Sequence, residues 1–223
     1  MQRRIFGIFV AGGSGTRMGA GTPKQFLELD GRPILQRTIE KFVEAVPGMT
    51  VITVLPKAHF ETWKDLCVKH ALDCPQILVE GGITRFHSVK NALAKVPDGA
   101  TVLIQDGVRP LVSTELIRSM LEAVSEQTPA IVPTLPVVDT LKSKDQSKPD
   151  PDRSEILAVQ TPQIFLSEQI KEAYKAGFNT AFTDDASVAK YKKIPLTFVQ
   201  GERFNIKITT PEDLELAQLL LKR

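Results

Sequence analysis

The sequence predicts an α/β fold: a Rossmann-like, doubly wound, mostly parallel sheet with helices on both faces and a projecting β-hairpin arm. Three observations lead there. Short apolar runs bounded by turn signals alternate with amphipathic segments, a glycine-rich turn at residues 11–25, AGGSGTRMGAGTPKQ, follows the first run, and one polar excursion breaks the alternation. With 223 residues and 42% hydrophobic content the chain can bury a sizeable core, and it reads as one domain over residues 1–223.

Ile5 to Val10, Val51 to Leu55, Ile77 to Val79, Val102 to Ile104 and Ala130 to Val132 have the length and apolar character of buried strands. Helical spacing lies between them: Ile34, Leu35, Ile39, Phe42, Val43 and Val46 trace one apolar face, and Leu116, Ile117, Met120, Leu121 and Val124 another. A last helix opens at TTPEDL, with Thr210 as cap, Pro211 at the first helical position and Asp213 three residues past the cap. Residues 136–163 contain two short β-like runs around a loop rich in Lys, Asp, Ser and Pro, which a hairpin leaving the sheet explains and a surface excursion without function explains as well.

In a doubly wound sheet the ligand site lies at the carboxyl ends of the strands. The first such end carries Gly12, Gly13 and Gly15, which permit close backbone approach, together with the cations Arg17 and Lys24. Converging backbone N–H groups beside fixed cations favour a phosphate ligand, and a nucleoside triphosphate fits best. The loop is not a Walker motif, because no Gly-Lys-Ser/Thr follows at the required spacing. A nicotinamide cofactor is disfavoured: Met18 stands where G-x-G-x-x-G needs its third glycine, and the run ending at Leu55 is followed by Pro56 and Lys57 rather than by an acid for the ribose. A plain glycine turn between strand and helix is the simpler alternative.

Later strand ends are polar too. Gly81, Gly82, Arg85 and Ser88 follow one; Gln105, Asp106, Gly107 and Arg109 follow the next. Asp106 is the candidate metal ligand, since magnesium is usually held by one or two carboxylates plus the phosphates of its nucleotide; it could equally cap the turn before Pro110. Thr183-Asp184-Asp185 reads as a cap opening the segment from Ala186 to Tyr191. Lys207 is either a solvated charge on an edge strand or a third cation of a site.

Other chemistries find little support. The 28 basic and 26 acidic side chains give a net charge of +2, so broad attraction to nucleic acid or membrane is not expected. No apolar stretch could cross a bilayer and MQRRIFGIFVAGG does not read as a signal peptide, so a cytoplasmic location is expected. Cys67 and Cys74 fit neither a disulfide framework nor a zinc site, and His59, His70 and His87 are scattered without partners at ligand spacing.

Taken in order, AGGSGTRM with PKQ, GGITRFHSV, QDGVRP, PVVDT, QTPQ, TDDAS and NIKITTPEDL resemble the 2-C-methyl-D-erythritol 4-phosphate cytidylyltransferases of the non-mevalonate isoprenoid pathway, from about residue 5 to about residue 220. The related ribitol 5-phosphate cytidylyltransferases share much of this frame. The resemblance implies transfer of a cytidylyl group from CTP to a sugar-alcohol phosphate, with magnesium and release of pyrophosphate. It implies that Arg17, Lys24 and Lys207 are catalytic, that Ala11, Gly12, Gly13 and Gly15 hold the phosphates, and that Gly82 and Ser88 recognise cytosine. Asp106 would serve metal and acceptor, with Arg109, Thr183 and Lys207 on the acceptor. Thr140, Arg153 and Thr161, on the arm, would reach a second subunit's acceptor pocket in a homodimer. Four positions depart from the family pattern: Gln105 where histidine is frequent, Gly107-Val108 where two small residues are usual, Val138 where a basic residue often precedes Asp-Thr, and Ile83 where an acid is common. A catalytically silent nucleotide-binding regulator would be the reading from another class.

Overall fold

The computed structural model describes residues 3–13 and 22–222. In chain order they form β1 (Arg4–Val10), the short ribbon β2 (Glu28–Leu29) and β3 (Arg32–Pro33), α1 (Ile34–Ala45), β4 (Thr50–Leu55), α2 (Phe60–Lys69), β5 (Gln76–Glu80), α3 (Arg85–Leu93) and β6 (Ala100–Asp106). There follow α4 (Thr114–Ala123), β7 (Ala130–Pro136), β8 (Leu157–Val159), β9 (Gln163–Leu166), α5 (Ser167–Ala173), α6 (Asp185–Tyr191), β10 (Thr197–Gln200) and α7 (Pro211–Leu221). The main sheet runs β10-β7-β9-β6-β1-β4-β5, with β8 paired to β7.

Strand β1 is central because it is apolar on both faces, as a strand sandwiched between helix layers must be. Phe6 and Ile8 pack with Phe86, Val89 and Leu93 of α3 and with Ile170 and Val188 of α5 and α6. Phe9 points the other way, into a core with Leu35, Ile39 and Phe42 of α1 and Ile117 and Met120 of α4. Period-two alternation along the strand thus feeds two separate cores. The helices stop where their sequences say they should: α1 runs into Val46, then Pro47 and Gly48, the last at φ +84. In α7, Thr210 and Asp213 form a capping box with Pro211 at the helix start.

The sheet is parallel from β5 through β4 and β1 to β6, and antiparallel where β9 enters between β6 and β7. Sequence periodicity showed neither β9 nor β10. Residues 205–209, whose polar and apolar side chains alternate around Lys207, form no strand, so Lys207 is not a charge on an edge strand; Ile208 N donates to Val108 O at 2.9 Å, which ties this segment over the end of β6. The hairpin arm is also shorter than expected. β7 and β8 pair only between Thr134–Pro136 and Leu157–Val159, and residues 137–152 carry no helix or strand. Lys142 with Asp150 at 2.6 Å, and Arg153 donating to Val138 O at 2.8 Å, hold that excursion together. Its Lys-, Asp- and Pro-rich sequence offers no alternating pattern on which a longer ladder could form.

Strand order reverses between β6 and β1: from β1 the chain first adds β4 and β5 on one side, then returns to add β6 on the other. The loops leaving these two strands therefore diverge and open a crevice, the position at which such sheets bind ligands. Gly107 closes the floor of that crevice. A Cβ there would stand 2.8 Å from Leu35 Cδ1 and 3.0 Å from Ala11 Cβ. Gly107→Val should accordingly cost about 1–3 kcal/mol through overpacking; a urea denaturation midpoint equal to that of the wild type would show that the loop has more room.

Candidate functional site

Backbone hydrogen bonds tie the strand ends into one rim. Val10 lies opposite Asp106 in the β1–β6 register, Gly107 N donates to Val10 O at 2.9 Å, Ala11 N to Val54 O at 3.0 Å and Gly81 N to Leu55 O at 2.9 Å. Above this rim two cavities of about 320 Å³ each lie on either side of Asp106. Ala11, Gly12, Gly13, Lys24, Gly82 and Ser88 line the first; Arg109, Thr161, Gln163, Thr183 and Asp184 line the second. Arg85, Asp106 and Lys207 belong to both. A larger groove of about 530 Å³ beside α1 has its charges paired among themselves, Arg32 with Glu40 at 2.9 Å and Lys41 with Glu44 at 3.2 Å.

The junction of the two cavities is an electrostatic cluster. The Asp106 carboxylate, nearly buried, meets Lys207 Nζ at 3.0 Å, Arg109 Nε at 3.2 Å and Arg85 Nε at 3.7 Å. Burial opposes its charge, but Arg85, Lys207 and Arg109 outweigh that penalty and hold its pKa down at about 2. Arg85 also grips Asp185 through both terminal nitrogens, at 3.0 and 2.6 Å, and Asp185 is fully buried and receives the Tyr174 hydroxyl. Burial disfavours the guanidinium charge, yet Asp185 and Asp106 together raise its pKa above the ordinary arginine value.

Local sequence explains why these groups converge. Thr84 caps α3 by accepting from His87 N, Ser88 Oγ accepts from Gly82 N and donates to Thr84 O, both at 3.0 Å, and the loop folds tightly back on its own helix. Only glycine fits at 82, because a Cβ would fall 2.3 Å from His87 Cβ. Lys24 stands on a one-turn helix after Pro23, with Nζ 3.2 Å from Ile208 O, so the first loop and the segment carrying Lys207 share a contact. The Asp106 side chain faces the cations instead of capping the turn before Pro110. At the second cavity, Thr161 Oγ1 accepts from Asp106 N at 3.1 Å, and Asn205 bridges by donating to Thr161 O at 2.8 Å while its own carbonyl accepts from Arg109 at 2.8 Å.

Most of the residues named from sequence therefore meet. Gly15 and Arg17 lie outside the described residues. Thr161 corrects an expectation: it is buried at the root of the arm in its own chain's cavity rather than projecting toward a partner. Thr140 and Arg153 line neither cavity. The departures from the family pattern fall at different places: Gln105 donates to Arg109 O at 3.2 Å, Ile83, 96% exposed, and Val108 line the first cavity, and Val138 is 63% exposed on the arm. Sequence reasoning assigned nothing to Arg85 and missed Asp185, Tyr174 and Asn205; the only signal was that Arg85 opens a helix directly after Gly81-Gly82.

The donor set also bears on a metal. Among the described residues no three His, Cys, Asp or Glu side chains gather to hold one. Asp106 alone fits a magnesium ion that arrives with its nucleotide and takes its other ligands from phosphate and water, and does not fit a resident metal centre.

Comparison with known proteins gives the family. Residues 5–223 match the sequence pattern of the family described as 2-C-methyl-D-erythritol 4-phosphate cytidylyltransferase. A protein of that name from Bacteroides fragilis is 46% identical over 96% of this chain and 98% of its own length, and one from Clostridium botulinum is 39% identical over 98% and 100%. The chain belongs to this cytidylyltransferase family. Among solved structures, 4-diphosphocytidyl-2C-methyl-D-erythritol synthase from Anaerococcus prevotii superposes with a TM-score of 0.82 at 31% identity, covering 99% of this chain and 97% of that one. The Thermus thermophilus cytidylyltransferase gives 0.77, also at 31% identity, covering 99% and 100%.

The charge cluster sets a pH dependence. The folded-state pKa of Asp106, about 2 against an ordinary 3.8, is depressed, so its stabilisation is present above about pH 4 and lost as pH falls toward 2. Asp106→Asn should remove about 2 kcal/mol of that acid-side slope. Glu168, which Arg3 holds down at about 2, contributes equally to both proteins and cancels. Parallel denaturation curves of wild type and variant between pH 5 and 3 would contradict the assignment.

Proposed function

We propose that this chain transfers the cytidylyl group of CTP to 2-C-methyl-D-erythritol 4-phosphate, forming 4-diphosphocytidyl-2-C-methyl-D-erythritol and pyrophosphate in non-mevalonate isoprenoid biosynthesis. The observation that carries it is the pair of cavities meeting at Arg85, Asp106 and Lys207, in a member of this family. CTP would occupy the glycine-loop cavity, with its phosphates on the backbone of residues 11–15 and its cytosine against Gly82 and Ser88. The acceptor would occupy the second, with its phosphate on Lys207 and Thr183 and its polyol near Asp106, Arg109 and Thr161.

An oxygen of the acceptor phosphate attacks the α-phosphorus of CTP; the new O–P bond forms as the bond to the β-phosphate oxygen breaks, and pyrophosphate leaves with the electron pair. The nucleophile is already an anion, so no base has to remove a proton, and the lack of a catalytic His or Cys is in keeping. The obstacle is repulsion between anions. Arg17, Lys24 and Lys207 neutralise the reactants, align them and stabilise charge on the five-coordinate phosphorus. Magnesium bound with CTP, held by Asp106, would supply further neutralisation of the triphosphate. A silent regulator would need no such set of cations.

Homodimerisation through the arm at residues 136–163 is part of the proposal. It is supported by Val138, Ile156 and Leu157, large apolar side chains left exposed on or beside the arm. Thr140 and Arg153 would then reach the partner's acceptor cavity. A cytoplasmic location is in keeping with the family's soluble chemistry; among the described residues no helix is long and apolar enough to cross a membrane.

The reaction is tested by offering methylerythritol phosphate and ribitol phosphate at equal concentration with limiting CTP. The branched polyol should dominate the cytidine diphosphate product; mainly CDP-ribitol would overturn the acceptor and leave the cytidylyl chemistry. Lys24→Ala should fold normally and turn over at least about a hundredfold more slowly, and near-normal pyrophosphate release would remove its role. Mixing Arg153→Ala chains with Lys24→Ala chains should restore part of the activity, since one site of each mixed dimer regains both groups. Mixed dimers that form without recovery would confine Arg153 to its own subunit.

A further inference from the structure

We infer that Arg85 is a further catalytic residue of this site, a cation fixed at the junction of the two cavities by Asp185 and Tyr174. The inference rests on the proposed reaction and adds to it a residue and its support. The reacting atoms, an acceptor phosphate oxygen and the α-phosphorus, have to meet where the cavities join. Of the three residues common to both cavities, Asp106 is an anion and Lys207 is a flexible side chain, 42% exposed, already paired to Asp106 at 3.0 Å. Arg85 is the third.

Its geometry suits a group that must not move. A guanidinium carries five N–H donors in a planar fork. Two of them close a bidentate pair on Asp185, whose carboxylate is 0% exposed and takes the Tyr174 hydroxyl as well. Nε lies 3.7 Å from Asp106 Oδ1, beyond hydrogen-bond distance. The remaining donors find no hydrogen-bond partner among the described residues, and the 27% of the side chain still exposed lies along the two cavities. When an anionic substrate draws Lys207 off Asp106, Arg85 stays, because leaving would strand a buried carboxylate. It thereby keeps Asp106 compensated and presents its spare donors to the phosphate at the junction.

The competing explanation is that Arg85 only neutralises Asp185. A buried ion pair is poor value for stability, since apolar or neutral groups of similar shape serve as well, while removal of one partner is costly. The two explanations part in a double variant. Arg85→Met alone leaves Asp185 buried and unpaired and should lower the melting temperature. Arg85→Met combined with Asp185→Asn removes the stranded charge, and Tyr174 can still donate to the amide oxygen.

We expect the double variant to recover a melting temperature within a few degrees of wild type and to keep KM for CTP within about tenfold, while kcat stays at least about a hundredfold below wild type, the loss typical of one preorganised donor. A kcat above one-third of wild type in the double variant would overturn the inference. Arg85→Lys decides the case should the double variant not fold, because it keeps a cation against Asp185 but lacks the fork: kcat reduced tenfold or more supports Arg85, and wild-type turnover overturns it. Wild-type turnover in the same assay distinguishes the two levels. A wild-type chain that makes no cytidine diphosphate product overturns the reaction and Arg85 together, whereas an active wild type beside an equally active double variant overturns Arg85 alone.

Discussion

One carboxylate holds this site together. Among the described residues Asp106 is the only acidic side chain on the first cavity, and three cations from three parts of the chain lean on it: Arg85 from the start of α3, Arg109 from the turn after β6 and Lys207 from the segment before α7. Without an anion among them these cations would repel one another and spread into solvent. With it they are concentrated in a half-buried crevice, where charge is screened least and acts most strongly on a bound phosphate.

The fold determines where that anion sits. Asp106 ends β6 directly opposite Val10 at the end of β1, the pair of strands between which strand order reverses. Gly107 allows the chain to turn immediately afterwards beneath Leu35, and Gly82 allows the neighbouring loop to fold onto α3. Both glycines act by absence of a side chain, so that backbone N–H groups and the tips of long cations, rather than Cβ atoms, face the crevice. Asn205 and Thr161 then brace the second cavity, so that β6, the root of the arm and the segment of Lys207 are joined by hydrogen bonds to one another.

The supporting shell is as telling as the lining. Arg85 does not reach the junction on its own rotamer preferences; Asp185, fully buried at the start of α6, holds it from below, and Tyr174 from the end of α5 holds Asp185. A relay of this kind spans three helices and makes the position of one cation a property of the whole face of the sheet.

The sequence by itself determined the alternation of strand and helix, the two apolar faces of α1 and α4, the cap of α7, the glycine loop with Lys24, and Asp106 as the acid at a strand end. These are local: period, cap chemistry and turn residues act within a few positions, and a strand followed at once by glycine and charge marks a site in any doubly wound sheet. Only the tertiary structure decided the rest. β9 is a short run that periodicity cannot orient, and it becomes an antiparallel strand because β6 and β7 present free edges on both sides of it. Residues 205–209 alternate like a strand yet form none, since the end of β6 offers a single carbonyl at Val108 and not a ladder. Thr161 belongs to its own chain's cavity, and Arg85 meets an aspartate one hundred positions away, for the same reason. A hydrogen bond or ion pair between distant residues leaves no trace in composition or spacing until the chain has folded and the two ends of the pair have been buried together.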